Sequence, residues 1–175
     1  MSMRKLALAT VAFAVVAGAA LAETPNLGKP ITPEELAPWD NFILPDGTSL
    51  PPGSGTFAQG APIFAQKCAS CHGEGGKGGG IAAGLVGGPP HASLDGGKTI
   101  PNYWPYATTL FDFIRRSMPF TQPGSLTNQE VYALTAYLLA ANKLIGEGDQ
   151  INAQTLPKVK MPNRDNFIVR FPERI

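Results

Sequence analysis

Residues 66–76, with the sequence QKCASCHGEGG, contain both cysteines of the chain, Cys68 and Cys71, and His72 follows the second one directly. This C-x-x-C-H pattern is typical of covalent c-type haem attachment. Two thiols at this spacing can bond to one porphyrin, and the adjacent imidazole can ligate the iron as the proximal ligand. The pattern therefore predicts one covalent haem c, with Cys68 and Cys71 as tethers and His72 as a metal ligand.

Other interpretations of the two cysteines fit the surrounding sequence less well. A thioredoxin-like redox pair would need a βαβ context, whereas the flanking residues are rich in glycine. A zinc site could use Cys68, Cys71, His72 and His91, but adjacent Cys71 and His72 are poorly placed for two corners of one tetrahedron. A disulfide across two intervening residues would be strained and would leave the histidine unexplained.

The second axial ligand is predicted to be Met118, in the stretch RRSMPFTQPGSLT. Its distance along the chain from His72 gives the backbone room to cross to the opposite haem face, and Pro119 fixes the local backbone. A His/Met pair fills both axial positions and favours electron transfer over binding of small molecules. His91 is the alternative ligand, and it would give a bis-histidine haem with a lower potential. Met161 lies beyond the last predicted helix and is interpreted as a packing residue.

Two aromatic residues in the stretch PNYWPYATTLF, Tyr103 and Trp104, are candidate haem contacts. Their polar tips could donate hydrogen bonds to the haem propionates. Packing against the haem edge or the core is equally compatible with these residue types.

The start of the chain predicts export to the periplasm. Arg4 and Lys5 precede an apolar run that ends at Ala20-Leu21-Ala22, which is typical of a signal peptide over residues 1–22. The alternative is an uncleaved anchor; after cleavage, we expect no membrane span. The remaining chain has 12 basic and 13 acidic residues, a formal charge of −1, which excludes a basic footprint for nucleic acid.

Residues 23–55 are rich in proline, and this composition predicts an N-terminal arm with one short helix in TPEELAPW. Thr32 and Glu35 there have the spacing of a capping box. The next helix is predicted over 57–69, with Gly60, Phe64 and Cys68 on one face and Pro62 in the first turn.

Two further helices follow a glycine-rich loop over 73–100. One is predicted to begin at Thr109 as N-cap, with Asp112 three residues later, and to stop before Pro119. The other opens with Thr127 and Glu130 as a capping box, buries Val131, Leu134 and Leu138, and ends at Gly146.

These elements predict an all-α haem domain over 56–146 and an extended C-terminal tail over 147–175. A domain of roughly ninety residues has a small core, so the haem must supply much of its packing. We therefore expect the apoprotein to be poorly folded.

The stretches CASCHG, SMPF and LTNQEVYALTAYLL are similar to those of class I monohaem cytochromes c. In that family the N- and C-terminal helices cross next to the haem, and the resemblance places Gly60, Phe64 and Tyr137 at the crossing. The family often has a proline before the leucine of the loop that braces the proximal histidine. Here Gly84 precedes Leu85, which leaves the hydrogen-bond acceptor for His72 open.

Residues 27–168 more narrowly resemble the haem subunit of bacterial sulfur-oxidation (Sox) sulfane or sulfite dehydrogenases. The stretches that carry this resemblance are LPDGTSLPPGSGTFAQG, NYWPYATTLFDFIRRSMPFTQPGSLTNQEVYALTAYLLAAN and LPKVKMPNRDNF. The family's haem ligands correspond to His72 and Met118. The resemblance implies a periplasmic partner, a molybdopterin subunit of the sulfite-oxidase type, and a downstream soluble cytochrome c as electron acceptor.

One feature leaves other functions open. The Sox haem subunit commonly carries a second haem domain, whereas this sequence contains one C-x-x-C-H. A free-standing electron shuttle would need only the compact haem domain. A haem enzyme, such as a thiosulfate-oxidising or peroxide-reducing cytochrome, would need an exchangeable sixth ligand in place of Met118.

Overall fold

The computed structural model describes most of the chain, and the described residues are 27–36, 39, 42–89 and 96–167. The predicted signal peptide and the alternative ligand His91 lie outside these residues. The chain divides into two units, Met1–Asp40 and Asn41–Ile175. Within the described residues, no helix is long and apolar enough to cross a bilayer.

The first unit contains helix α1 (Pro33–Leu36), which begins with the predicted capping box. The backbone N–H of Glu35 donates to the Thr32 hydroxyl at 3.2 Å, and the backbone N–H of Thr32 donates to the Glu35 carboxylate at 3.0 Å. These two bonds satisfy backbone groups that the start of a helix leaves unpaired.

The second unit is mostly helical, as predicted, and adds a small two-stranded sheet. Its helices are α2 (Phe57–Lys67), α3 (Ala69–His72), α4 (Ile100–Tyr103), α5 (Ala107–Ser117) and α6 (Asn128–Ala141). Its strands are β1 (Ser54–Thr56) and β2 (Gln150–Asn152), and single 3₁₀ turns lie at Glu74–Gly76, Leu156–Lys158 and Arg164–Asn166. The strands are antiparallel, with Gly55 opposite Ile151. The predicted all-α fold class is therefore confirmed.

Helix α2 begins at Thr56, whose side chain and backbone form a capping box with Gln59. The prediction that Pro62 lies in the first turn is wrong, because Pro62 is the sixth residue of the helix. Proline lacks an N–H, so the carbonyl of Ala58 loses its helical partner. Both residues are exposed, and water can hydrogen-bond to that carbonyl.

Helices α2 and α6 approach each other closely at Gly60. A Cβ atom on Gly60 would overlap the backbone carbonyl of Ala133 and lie 2.7 Å from the Cβ of Tyr137. The Tyr137 ring contacts the rings of Phe57 and Phe64, with centroids 5.1 and 4.9 Å away. The crossing of Gly60, Phe64 and Tyr137 that the family resemblance implied is confirmed.

Helix α5 begins earlier than predicted. Its N-cap is Tyr106 rather than Thr109, so the predicted cap is wrong. Asp112 does not cap the helix; its carboxylate accepts a hydrogen bond from Nε of Arg116, one turn later, at 2.9 Å. Thr109 has the residue type of a cap, but the buried face of the helix extends back to Ala107, and this packing decides where the helix starts.

Helix α6 has the predicted capping box, in which the N–H of Glu130 donates to the Thr127 hydroxyl at 3.2 Å. The predicted end at Gly146 is wrong, because the helix ends at Ala141 with Asn142 as its C-cap. Lys143 then adopts a positive φ of 60°, and this backbone reversal ends the helix without a glycine.

The core draws side chains from segments on both sides of the predicted 56–146 domain. Ile43 precedes it, and Ile151, Leu156 and Met161 follow it, and all four are buried. Met161 is 1% exposed, which agrees with its interpretation as a packing residue. Residues of the predicted arm and tail therefore stabilise the same core as the helices.

Replacing Gly60 by alanine should destabilise the fold, because the new methyl group meets backbone that cannot rotate away. We expect Gly60→Ala to lower the free energy of unfolding of the haem-loaded protein by about 1–3 kcal/mol. Urea unfolding followed by circular dichroism measures this. Gly148→Ala is the matched control, because a Cβ there meets no atom within 4 Å. Equal effects of the two substitutions would contradict the close helix contact.

The ion pair between Lys67 and Glu130 should make stability depend on pH. Their N and O atoms lie 2.6 Å apart, and the hydrogen bond from Lys67, followed by that from the backbone of Thr127, lowers the pKa of Glu130 below its ordinary 4.5. A carboxyl group whose pKa is lower in the folded than in the unfolded state adds stability at pH values above the unfolded-state pKa. This stability is lost as the pH falls through the folded-state pKa.

We therefore expect Glu130→Gln to lower the free energy of unfolding at pH 7 by about 0.5 kcal/mol, since the pair is partly exposed. The difference from wild type should be fully present above pH 4.5 and should be lost as the pH falls through the lowered pKa of Glu130. Glu147→Gln, at an exposed glutamate without a recorded ion pair in the described part of the chain, is the control. A difference that persists unchanged into acid would exclude the ion pair as its cause.

Candidate functional site

The two cysteines and the histidine of the C-x-x-C-H motif lie in a single helical turn. The N–H of Cys68 donates to the carbonyl of Phe64 at the end of α2, at 2.9 Å. The N–H groups of Cys71 and His72 both donate to the carbonyl of Cys68, at 3.1 and 3.0 Å. The close packing of α2 thus fixes the start of the turn, and the turn brings the three predicted site residues together. Cys68 and Cys71 form no disulfide.

The environment of Cys68 does not resemble that of a redox-active thiol. Burial raises its pKa to about 11, although nearby Lys67 acts in the opposite direction. Reactive cysteines need a lowered pKa and an accessible thiolate. The sheet among the described residues is a two-stranded antiparallel one, rather than part of a βαβ unit. Both observations count against a thioredoxin-like pair.

The hydrogen-bond acceptor for His72, which the sequence left open, is the backbone carbonyl of Ala83. The Nδ1 atom of His72 lies 2.8 Å from this oxygen. A carbonyl can only accept, so Nδ1 carries the proton and the lone pair of Nε2 is free to bind a metal. Such an acceptor fixes the orientation of the ring and raises the basicity of the ligating nitrogen.

Ala83 belongs to a loop, residues 76–87, that is hydrogen-bonded onto the motif. The N–H of Gly78 donates to the carbonyl of His72 at 2.9 Å, and the N–H of Ala82 donates to that of Cys71 at 2.9 Å. The N–H of Leu85 donates to the carbonyl of Gly76 at 2.7 Å. Backbone groups therefore hold the acceptor for the histidine in position.

Asn142, just beyond the end of α6, is a structural residue of the site that sequence reasoning missed. Its Oδ1 accepts from the N–H of Gly87 at 2.9 Å, while its Nδ2 donates to the carbonyls of Leu85 at 3.3 Å and Leu138 at 2.8 Å. One side chain thus joins the loop to α6. The only sequence signal is an amide residue directly after a helix, which is too common to identify this role.

Met118 is the C-cap residue of α5, and its N–H donates to the carbonyl of Ile114 at 3.1 Å. Its side chain is half-buried and packs against the core, as do those of Leu85 and Trp104. The thioether therefore lies in apolar surroundings that suit an iron–sulfur bond. Its role as the second axial ligand stays a prediction.

Tyr103 and Trp104 differ in their surroundings. Tyr103 is exposed, with the Nζ of Lys98 5.1 Å from its ring centroid. Trp104 is half-buried and lies edge-on to Phe113, at 5.3 Å between centroids. Lys98 adds a cation next to Tyr103, and a cation is the group that a propionate would pair with. Contact of these residues with the propionates stays a prediction.

The donor set fits a haem c. The turn supplies two free thiols and an imidazole with an available Nε2, and Met118 supplies a soft thioether. Leu85, Val86 and Trp104, which pack against the core, add apolar surface. Cys68 and Cys71 would hold the group covalently, and His72 would ligate its iron.

Comparisons with known proteins agree with this chemistry. Residues 55–138 match the family described as cytochrome C oxidase, cbb3-type, subunit III. The chain is 32% identical over 99 residues to the thiosulfate dehydrogenase of Stutzerimonas stutzeri (strain A1501), across 50% of this chain and 28% of that protein. This chain thus aligns with less than a third of that relative's length.

A solved structure is similar over a larger share of the chain. The crystal structure of the sulfane dehydrogenase SoxCD from Paracoccus pantotrophus matches with a TM-score of 0.74 and 38% sequence identity. The match covers 86% of this chain and 75% of the matched chain. The similarity therefore extends well beyond the haem-attachment motif.

Replacing Met118 should change the haem spectrum, whereas replacing the other described methionine should not. In the haem-loaded ferric protein, Met118→Leu should abolish the sulfur-to-iron charge-transfer band and lower the reduction potential, because a methionine ligand raises it. Met161→Leu is the matched control, since it also removes a thioether sulfur, but from a buried packing position. A wild-type spectrum that lacks this band and does not change in Met118→Leu would favour the alternative ligand, His91. A band that survives Met118→Leu would show that another sulfur ligates the iron.

Proposed function

Because the chain belongs to the c-type cytochromes and is similar to the sulfane dehydrogenase SoxCD over most of its length, we propose that it is an electron-transferring haem subunit in sulfur oxidation. The observation that carries the proposal is the Cys68–His72 turn, in which Ala83 holds Nδ1 of His72 and leaves Nε2 free. The extent of the match to SoxCD supports a role in sulfur oxidation rather than in another electron-transfer chain.

The proposed partner is a periplasmic molybdopterin subunit of the sulfite-oxidase type. That subunit would oxidise sulfite or a sulfane sulfur, and this chain would accept the electrons and deliver them to a soluble cytochrome c. The match to a sulfane dehydrogenase supports the assignment. Export through the predicted signal peptide, residues 1–22, would bring the chain to the same compartment.

The residues of this chain would tune and protect the redox centre. A bound haem c supplies reversible one-electron redox chemistry. The Ala83 carbonyl would keep the His72 ring in one orientation, so that little rearrangement is needed between charge states. Met118 would ligate the iron and exclude small molecules. The apolar side chains around it would keep water away, which raises the potential.

A second candidate function is a haem enzyme that oxidises thiosulfate. The similarity to a thiosulfate dehydrogenase favours it, although this chain aligns with only 28% of that protein. Such an enzyme would need an exchangeable sixth ligand. The two candidates therefore differ in whether Met118 stays bound to iron while substrate is oxidised.

Mixing the purified haem-loaded protein with a molybdopterin subunit from the same organism tests the main proposal. We expect the haem absorbance to show reduction by sulfite or a protein-bound sulfane only when both proteins are present. A variant of the molybdopterin subunit without cofactor is the control. Reduction by thiosulfate with this chain alone would favour the haem enzyme. No reduction under any of these conditions would contradict both candidates.

A further inference from the structure

A groove of about 840 Å³ lies in the second unit, away from the predicted haem ligands. Three segments line it: residues 44–46, residues 105–107 at the start of α5, and a third segment that contributes residues 157–160 and Arg164. Neither the C-x-x-C-H turn nor Met118 contributes to its lining. We refer to it as the basic groove, and nothing in the haem chemistry explains it.

Three cations and one carboxylate line the basic groove: Lys158, Lys160, Arg164 and Asp46. Asp46 is engaged by its own loop, because its Oδ1 accepts from the N–H of Thr48 at 2.9 Å. This hydrogen bond also lowers the pKa of Asp46, which therefore stays ionised. Within the described residues, no ion pair is recorded for the three cations. The groove lining thus has a net positive charge, three cations against one carboxylate.

Arg164 is pre-positioned for a carboxylate. Its guanidinium lies over the ring of Tyr106, 4.3 Å from the centroid. Stacking occupies the face of the planar group and leaves its N–H donors available at the edge, where a carboxylate can bind in a bidentate manner. Fixing the side chain in advance lowers the entropy cost of binding.

The groove also has rigid apolar walls. Pro45, Pro105 and Pro157 restrict the backbone of all three segments, and Leu44 and Val159 add apolar surface. Gly47 has a φ of +91°, and a Cβ there would overlap the Pro157 ring, so the first and third segments are in tight contact.

Buried side chains hold the third segment of the groove in place. The side chain of Asn163 donates to the carbonyl of Tyr103 at 2.7 Å, and this bond joins the segment to the end of α4. Leu156 and Met161 are buried in the core on either side of the two lysines. The groove is therefore preformed, and its cations project from a fixed wall.

We propose that the basic groove docks an extended segment of a partner protein in which carboxylates alternate with apolar side chains. The cations require acidic groups, and the apolar walls require apolar side chains between them. Three cations along one groove match several carboxylates better than a single small anion, and the volume is near the upper end for small-molecule sites. Docking and haem ligation would then use separate surfaces of the chain.

Binding of a labelled synthetic peptide of twelve residues, alternating glutamate and leucine, tests the proposal by fluorescence anisotropy with the haem-loaded protein. We expect Lys158→Glu with Lys160→Glu to weaken binding about tenfold, and added salt to weaken wild-type binding. The matched control reverses two lysines outside the groove, Lys29→Glu with Lys143→Glu, and should change binding by less than about twofold. Circular dichroism and haem absorbance establish that each variant is folded.

Two companion peptides separate the contributions of charge and apolar surface. A peptide alternating glutamate with serine should bind less tightly than the leucine peptide, and one alternating lysine with leucine should not bind. Equal losses in the groove variant and the control variant would overturn the proposal, since the effect would be net charge alone. Displacement of the peptide by octanoate at equal concentration would also overturn it and assign the groove to small amphipathic anions. No electron transfer is measured, so these outcomes are independent of the proposed redox function.

Discussion

The contact between α2 and α6 at Gly60 is the constraint on which the rest of the structure depends. Because Gly60 has no side chain, the backbone of α2 lies directly against that of α6 at Ala133. Each of these two helices is followed directly by residues of the candidate site. The Cys68–His72 turn follows α2, and Asn142 follows α6, where it holds the loop that contains Ala83. The orientation of the imidazole therefore depends on a packing contact between two helices.

The site owes much of its geometry to backbone groups rather than to side chains. The carbonyls of Cys71, His72, Gly76 and Ala83 accept the hydrogen bonds that hold the loop over residues 76–87 and the imidazole of His72. A backbone acceptor has no rotamers, so it positions its partner with little loss of side-chain entropy. This explains how a loop that contains so many glycines can hold a histidine in one tautomer.

Sequence patterns predicted the features that have a local signature. The C-x-x-C-H turn and the capping boxes at Thr32 and Thr127 depend on residues within four positions of each other, and the structure contains them. The start of α5, the end of α6 and the position of Pro62 were predicted wrongly, because packing and solvent exposure outweighed local propensity. The Ala83 acceptor could not be identified from the sequence, since any residue type supplies a carbonyl.

The short sheet has a consequence for the order in which the protein can assemble. Ser54, just before α2, pairs with Asn152, which comes after the six helices of the described residues. This pairing joins positions far apart in the sequence, so the fold closes later than a bundle built from neighbouring helices alone. Cys68 and Cys71 emerge well before β2 when the chain is made or exported from its N-terminus. The predicted attachment site is thus available before the sheet can join the two ends of the domain.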